Sequence, residues 1–186
     1  MPKCIDQGFP CQNPDYLVYD GTAKKELRKP ISTDVIVNQS DYCQHVPTNK
    51  KHNIGDLDHN LFLKPLGQRD GVYHLWVEYD ECDDHETYTM RCVYVGKGPP
   101  KTRVDDHVKT KWPDSDALYV TFHECENRLA KYYEQLFLDT YQFDLNKNEN
   151  EGKETLFAVW DEERFSLGTH LNEISNLSKM TSTGDW

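Results

Sequence analysis

Hydrophobic and polar positions alternate with a period of two over two stretches, GVYHLWVEY (residues 71–79) and TYTMRCVYVG (residues 87–96). Both are rich in β-branched and aromatic residues, so together they predict a β-hairpin. The connector from Asp80 to Glu86 is polar, and with Glu78 it holds six acidic residues in nine. It lacks EF-hand spacing and the glycine that makes that turn, so a solvated hairpin tip is expected. Gly96 to Thr102 reads as a loop, and the absence of GxxxxGK[ST] rules out a P-loop. A short helix is expected over Thr102 to Lys109, with Arg103 and His107 on one face. Ala117 to His123 reads as a third strand. From Glu126 to Tyr141 the period lengthens to that of a helix, with Leu129, Tyr133, Leu136 and Phe137 as its apolar stripe.

The flanks carry weaker signals. Residues 1–70 are rich in Pro, Asn, Asp and Gly, with short apolar pieces at Tyr16 to Tyr19, Val35 to Val37 and Leu61 to Leu63. Ala23 to Lys29 suits a turn or two of helix that Pro30 stops. Leu156 to Trp160 suits a strand. Gly168 to Met180 suits a final helix with an apolar stripe at Leu171, Ile174 and Leu177, packed within the molecule or against a second copy. The last six residues read as a loose tail. The organisation expected is an N-terminal extension (1–70), a core (71–147) and a C-terminal extension (148–186), together one compact unit of the α+β class.

Composition narrows the function classes. The chain has 186 residues, 37% of them apolar, and its 7 Phe, 4 Trp and 11 Tyr suffice for a core. No apolar run approaches the roughly 18 residues of a membrane span, and the N-terminus lacks a secretory apolar stretch. A soluble, cytoplasmic protein without a membrane partner is the expectation. The formal net charge is −11. Lys97 to Lys111 runs against this trend, with Lys97, Lys101, Arg103, Lys109 and Lys111 facing only Asp105 and Asp106. Such a stripe on an acidic body suits local contact with phosphates, or a solvated surface segment. The cysteines are Cys4, Cys11, Cys43, Cys82, Cys92 and Cys125. Cys92 and Cys125 are expected in strands as small apolar residues. Cys4, Cys11 and Cys43 with His45 lack the paired spacing of a zinc ribbon, so zinc is not expected and reduced thiols are.

Between residues 71 and 147, chemistry-bearing residues follow one another in a recognisable order. Gly71-Val72-Tyr73 opens the first strand, and Tyr94-Val95-Gly96 closes the second, followed by Lys97. Arg103 and His107 come next, then Ala130-x3-Glu134 within a helix, then Leu145-Asn146. In this order they resemble the GIY-YIG nuclease family, nearest in layout to its small type II restriction enzymes. The resemblance covers 77 of 186 residues. It implies a central three-stranded antiparallel sheet flanked by helices. It also implies a phosphodiester hydrolase dependent on Mg²⁺ or Mn²⁺ and acting on double-stranded DNA.

The roles implied by the resemblance match the chemistry of the residue types. Glu134 is the metal ligand, and one carboxylate can suffice because Mg²⁺ keeps several waters. Arg103 can hold phosphate oxygens in a fork. His107 can donate to phosphate or accept a proton. One tyrosine takes a proton from water while the other orients the site; Tyr73 is favoured as base, although the spacing fits either order. A free phenol with a pKa of about 10 needs a nearby positive charge for this task. Asn146 is expected to brace the helix end and the loop beside the site. Lys97, Lys101, Lys109 and Lys111 are the DNA-binding candidates. Trp112 is expected as a packing anchor rather than a base-stacking platform. No appended DNA-binding module is visible, so specificity is assigned to residues 1–70 and the loop from Lys97 to Asp116. A homodimer, at least on DNA, is expected, because two-fold symmetry matches a palindrome. The alternatives are a non-specific nuclease toxin or effector, a repair-type nickase, and a catalytically inactive binding module on the same fold.

Overall fold

The computed structural model describes residues 31–40, 42–48, 59–83, 87–113, 117–161 and 177–180. The chain divides into Met1–Ser32 and Thr33–Trp186, and every element below belongs to the second unit. The helices are α1 (Thr33–Asn38), α2 (His59–Leu63), α3 (Pro100–Thr110) and α4 (Asn127–Thr140), with a 3₁₀ turn at Lys64–Leu66. The strands are β1 (Tyr42–Val46), β2 (Gly71–Cys82), β3 (Thr87–Lys97), β4 (Leu118–Glu124), β5 (Thr155–Asp161) and β6 (Leu177–Met180).

The strands form one antiparallel sheet in the order β1-β4-β2-β3-β5-β6. The class is α+β, as the periodicity implies, but the sheet is wider than the three strands expected. The expected trio, β4-β2-β3, lies at its centre. β1 extends it from residues assigned to the N-terminal extension, and β5 and β6 extend it from the C-terminal one. Added strands satisfy backbone groups that an edge would leave open. The end of the expected last helix, Leu177–Met180, is therefore a strand paired with Thr155–Ala158. Residues 168–176 of that helix lie outside the described residues, as do Ala23 to Lys29, Cys4, Cys11 and the C-terminal tail.

Register decides which side chains share a face. Tyr73 pairs with Gly96 and Leu75 with Tyr94, but Trp76 pairs with Cys92. Val93 is the extra residue of a β-bulge, which leaves two residues on β3 facing one step of β2. In an unbroken strand Cys92 and Tyr94 would point the same way. The bulge instead turns Tyr94 to the side of Tyr73 and Leu75. This side packs against α2, the 3₁₀ turn and α3 through Leu63, Leu66, Val104, Val108 and Trp112. The Trp112 side chain is buried, as suits a packing anchor, and its backbone N–H donates to the His107 carbonyl at 2.9 Å.

The opposite side carries α4. His74 and Trp76 project there, and the His74 ring meets Phe137 edge-on at 4.5 Å between centroids. The buried stripe of α4 is Ala130, Tyr133, Phe137 and Leu138. It is rotated slightly from the expected one, so Leu129 and Leu136 are half-buried. Gly71 permits close approach of β4, since a Cβ there would lie 2.2 Å from the His123 carbonyl oxygen. Cys43, Cys82, Cys92 and Cys125 are thiols, not disulfides. Cys125 lies one residue beyond β4, not within a strand, and donates its backbone N–H to Asp70.

Candidate active site

The two tyrosine triplets meet because they are register partners. Tyr73 lies opposite Gly96, and its ring sits 5.9 Å from that of Tyr94, tilted by 35°. A Cβ on Gly96 would stand 2.5 Å from the Tyr73 hydroxyl oxygen and 2.8 Å from Tyr94 Cε1. Only glycine leaves room for both rings, which gives the third residue of the second triplet a steric purpose.

Tyr73 is fully buried. Burial drives its phenol well above the usual pKa of 10, the Tyr94 oxygen adds to the rise, and the Arg103 guanidinium opposes it. Tyr94 and Arg103 act on the Tyr73 hydroxyl through their charge and dipole, although the buried oxygen forms no hydrogen bond in the structure. The Tyr73 oxygen first, and Tyr94 with it, in turn raise the Arg103 pKa against the burial that lowers it.

Arg103 and His107 lie four residues apart on α3, as expected. Arg103 is exposed, whereas His107 is buried with its ring 4.3 Å from that of Tyr94. Burial first, then Lys111 and Arg103, lowers the imidazole to a pKa of about 4 against the pull of Asp106. At neutral pH it is an uncharged ring, and its Nδ1 is buried without a partner. An uncharged imidazole can accept or donate one hydrogen bond, but it brings no positive charge to a phosphate.

Glu134 comes from α4, on the other side of the sheet. Phe137 is fixed against His74, and a residue three positions earlier on a helix shares that flank. The Glu134 carboxylate pairs with Lys97 at 2.9 Å, with side-chain exposures of 17% and 28% respectively. Asn146 braces the edge of β3. Its Oδ1 accepts the Val95 N–H at 3.0 Å and its Nδ2 donates to the Val95 carbonyl at 2.9 Å. The Leu145 N–H donates to Val93 at 3.0 Å. The loop thus pairs with β3 like a short strand; the side chain expected to brace the helix end and the loop is bound to the β3 edge.

A cleft of about 320 Å³ opens at this edge, and Tyr94, Lys111, Glu134, Asn146, Lys147 and Glu149 are in its wall. It joins the Tyr94 side of the sheet to the Glu134 side. Tyr73, Arg103 and His107 do not line it and connect to it through Tyr94. Of the lysine candidates, Lys97 and Lys111 reach this region. Lys109 is engaged with Asp105 at 2.6 Å, and Lys101 lies half-buried in the first turn of α3, outside the cleft. Lys147 and Glu149 went unnoticed in the sequence, where only their adjacency to Asn146 marks them.

Among the described residues, no group of three or more His, Cys, Asp and Glu side chains comes together. Cys43 and His45 both lie in β1, where His45 stacks on Tyr119 with ring centroids 4.9 Å apart. A single-carboxylate site for a hydrated divalent ion does fit the geometry. Glu134 is half-buried in the wall of a cleft wide enough for several waters of about 30 Å³ each. No helix among the described residues is long and apolar enough to cross a membrane. No family model matches the chain, and no curated protein or solved structure does so either.

Proposed function

We propose that the protein is a GIY-YIG-type endonuclease that hydrolyses DNA phosphodiester bonds with the help of Mg²⁺ or Mn²⁺, in the manner of a type II restriction enzyme. The observation that carries this reading is the convergence at the β3 edge. Residues from β2, β3, α3, α4 and the loop after α4, scattered over 74 positions of sequence from Tyr73 to Asn146, gather around one cleft and its Tyr94 wall. The set combines a carboxylate, a guanidinium, two phenols and an uncharged imidazole.

Each side chain has a task in an in-line hydrolysis. Arg103, exposed and firmly charged, takes the phosphate oxygens and favours the negative charge that grows in the transition state. Tyr94 forms the wall between the cleft and the buried pair Tyr73 and His107, and orients the attacking water. Tyr73 does not touch a water in the cleft, so its phenolate, which Arg103 favours against burial, takes the proton through the Tyr94 hydroxyl, which receives one from the water as it gives its own to Tyr73. His107, uncharged, fixes the Tyr94 ring. Glu134 would hold the divalent ion, which when bound would supply counter-charge to the phosphate and to the leaving oxygen. Lys97 and Lys111 hold the strand at either side. A two-fold dimer would place two such sites on the two strands of a palindrome.

The test is conversion of supercoiled plasmid with and without Mg²⁺. Wild type is expected to cut only with the metal and to yield linear DNA with little nicked circle, as paired sites do. Glu134→Gln is expected to lose cleavage while still binding DNA. Nicked circle as the sole product would replace the restriction reading with a nickase. Equal cutting by Glu134→Gln would remove Glu134 from the site, and binding without any cutting would favour the inactive binding module.

A further inference from the structure

We propose that the Glu134 carboxylate is a seat shared by two cations that exclude one another: the Lys97 ammonium in the unloaded protein and a divalent ion in the loaded one. The identity of the second cation rests on the nuclease reading; the pairing with the first does not. Lys97 is the last residue of β3 and Glu134 lies in the middle of α4, so the 2.9 Å contact ties strand to helix across the rim of the cleft. Both side chains are largely withdrawn from water. A carboxylate in that setting needs a counter-charge at all times, and Lys97 supplies it. A divalent ion arriving at the same carboxylate meets an ammonium already there. The two positive charges repel strongly at such separation and low hydration, so the ion exchanges with Lys97 and is not added beside it.

Lysine suits this exchange. Its four-carbon stem lets the ammonium swing away without moving β3, and a compact point charge re-pairs readily elsewhere. The residue after it, Gly98, has a φ of 83°, so the chain turns sharply just beyond the lysine. The displaced ammonium finds itself at the mouth of a cleft whose wall already contains Lys111 and Lys147. A DNA phosphate there would attract it. Phosphate binding and metal binding then assist each other through one side chain, and linkage makes the assistance equal in both directions.

Calorimetric titration with Mg²⁺ and with Mn²⁺, in the absence of DNA, tests the exchange on the full chain. Lys97→Met keeps the stem and removes the charge. It is expected to bind the ion roughly tenfold more tightly than wild type, the equivalent of about 1.4 kcal/mol. Lys97→Arg, which keeps the charge, is expected to stay near wild type, and Glu134→Gln to lose the site. Lys97→Gln serves if Lys97→Met does not fold. A non-cleavable duplex is expected to raise metal affinity more in wild type than in Lys97→Met, a difference that a purely structural ion pair would not produce. Affinity in Lys97→Met equal to or below wild type, alongside metal-dependent plasmid cutting by wild type, overturns the exchange and leaves the nuclease reading standing. No metal binding by any variant, together with metal-independent or absent cutting, overturns both.

Discussion

Tyr73 carries a hydroxyl that is buried and lacks a hydrogen-bond partner, a state that costs stability and is rarely retained without use. Its removal should therefore separate stability from activity. Tyr73→Phe is expected to match wild type in thermal unfolding, or exceed it by up to about 1 kcal/mol, because no hydrogen bond is lost. The same change is expected to reduce single-turnover cleavage by roughly 10²- to 10⁴-fold, the range of a lost proton-transfer group. In wild type the cleavage rate should climb with pH through the neutral range, because burial holds the phenol protonated and only the phenolate accepts a proton. A flat profile above pH 5 would instead suit His107, whose pKa of about 4 leaves it deprotonated throughout. The identity and order of these residues were legible in the sequence. Their burial was not: whether a helical histidine faces water depends on the strand residue it meets, here Tyr94.

At the scale of elements, the hairpin, α3, β4, α4 and β5 were legible because each carries its own period or turn chemistry. β1 and β6 were not. They are five and four residues long and are strands because β4 and β5 present edges to them, a fact held elsewhere in the chain. The loop after α4 follows the same logic. Asn146 gives both faces of its amide to Val95 and so closes the edge of β3 that β5 leaves unpaired beyond Arg91. Asn146→Ala should cost about 1–3 kcal/mol in denaturant unfolding, the worth of two such hydrogen bonds. Hydrogen exchange should quicken at Val95 and its neighbours while β4 stays protected. An unchanged exchange pattern would show that Leu145 alone holds the edge. The Lys97 contact with Glu134 belongs to this scale too, and nothing in the spacing of a strand end and a helix middle announces it.

For the whole molecule, charge and acid response follow from the buried histidines. His74 is fully buried, and burial first, then His123, lowers it to a pKa of about 3. The Trp76 indole N–H donates to the Thr121 hydroxyl at 2.9 Å, that hydroxyl stands 3.3 Å from His74 Nδ1, and His74 Nε2 is buried without a partner. With folded values below the usual 6.5, the unfolded chain binds more protons at His74 and His107 over the window from about 6.5 down to 4 and 3. Stability is therefore full above that window and falls as pH drops through it. The thermal midpoint should decline between pH 6.5 and 5, before most carboxylates titrate, and the decline should be shallower in His74→Leu. An equal slope in the two proteins would place the acid response elsewhere. The acidic balance of −11 was plain in the sequence, and it weakens the non-specific attraction of the whole molecule for any polyanion.

The bulge at Val93 has a bearing on how this chain tolerates change. Along an ordinary strand, parity is inherited from one residue to the next, and Val93 resets it once. Residues 87–92 and 94–97 are thus written in opposite phase. A change in length here acts by the strand on which it falls. With Val93 removed, Trp76 still meets Cys92 and Leu75 still meets Tyr94, now as consecutive rungs of an unbroken ladder, so Tyr94 and Gly96 stay on the side of Tyr73. A residue added to β2 between Leu75 and Trp76 would also give an unbroken ladder, with Val93 paired. Tyr73, Tyr94 and Gly96 would then turn to the face of Trp76 and Cys92, away from α3. The constellation is guarded by the difference in length between two strands as much as by its residue types.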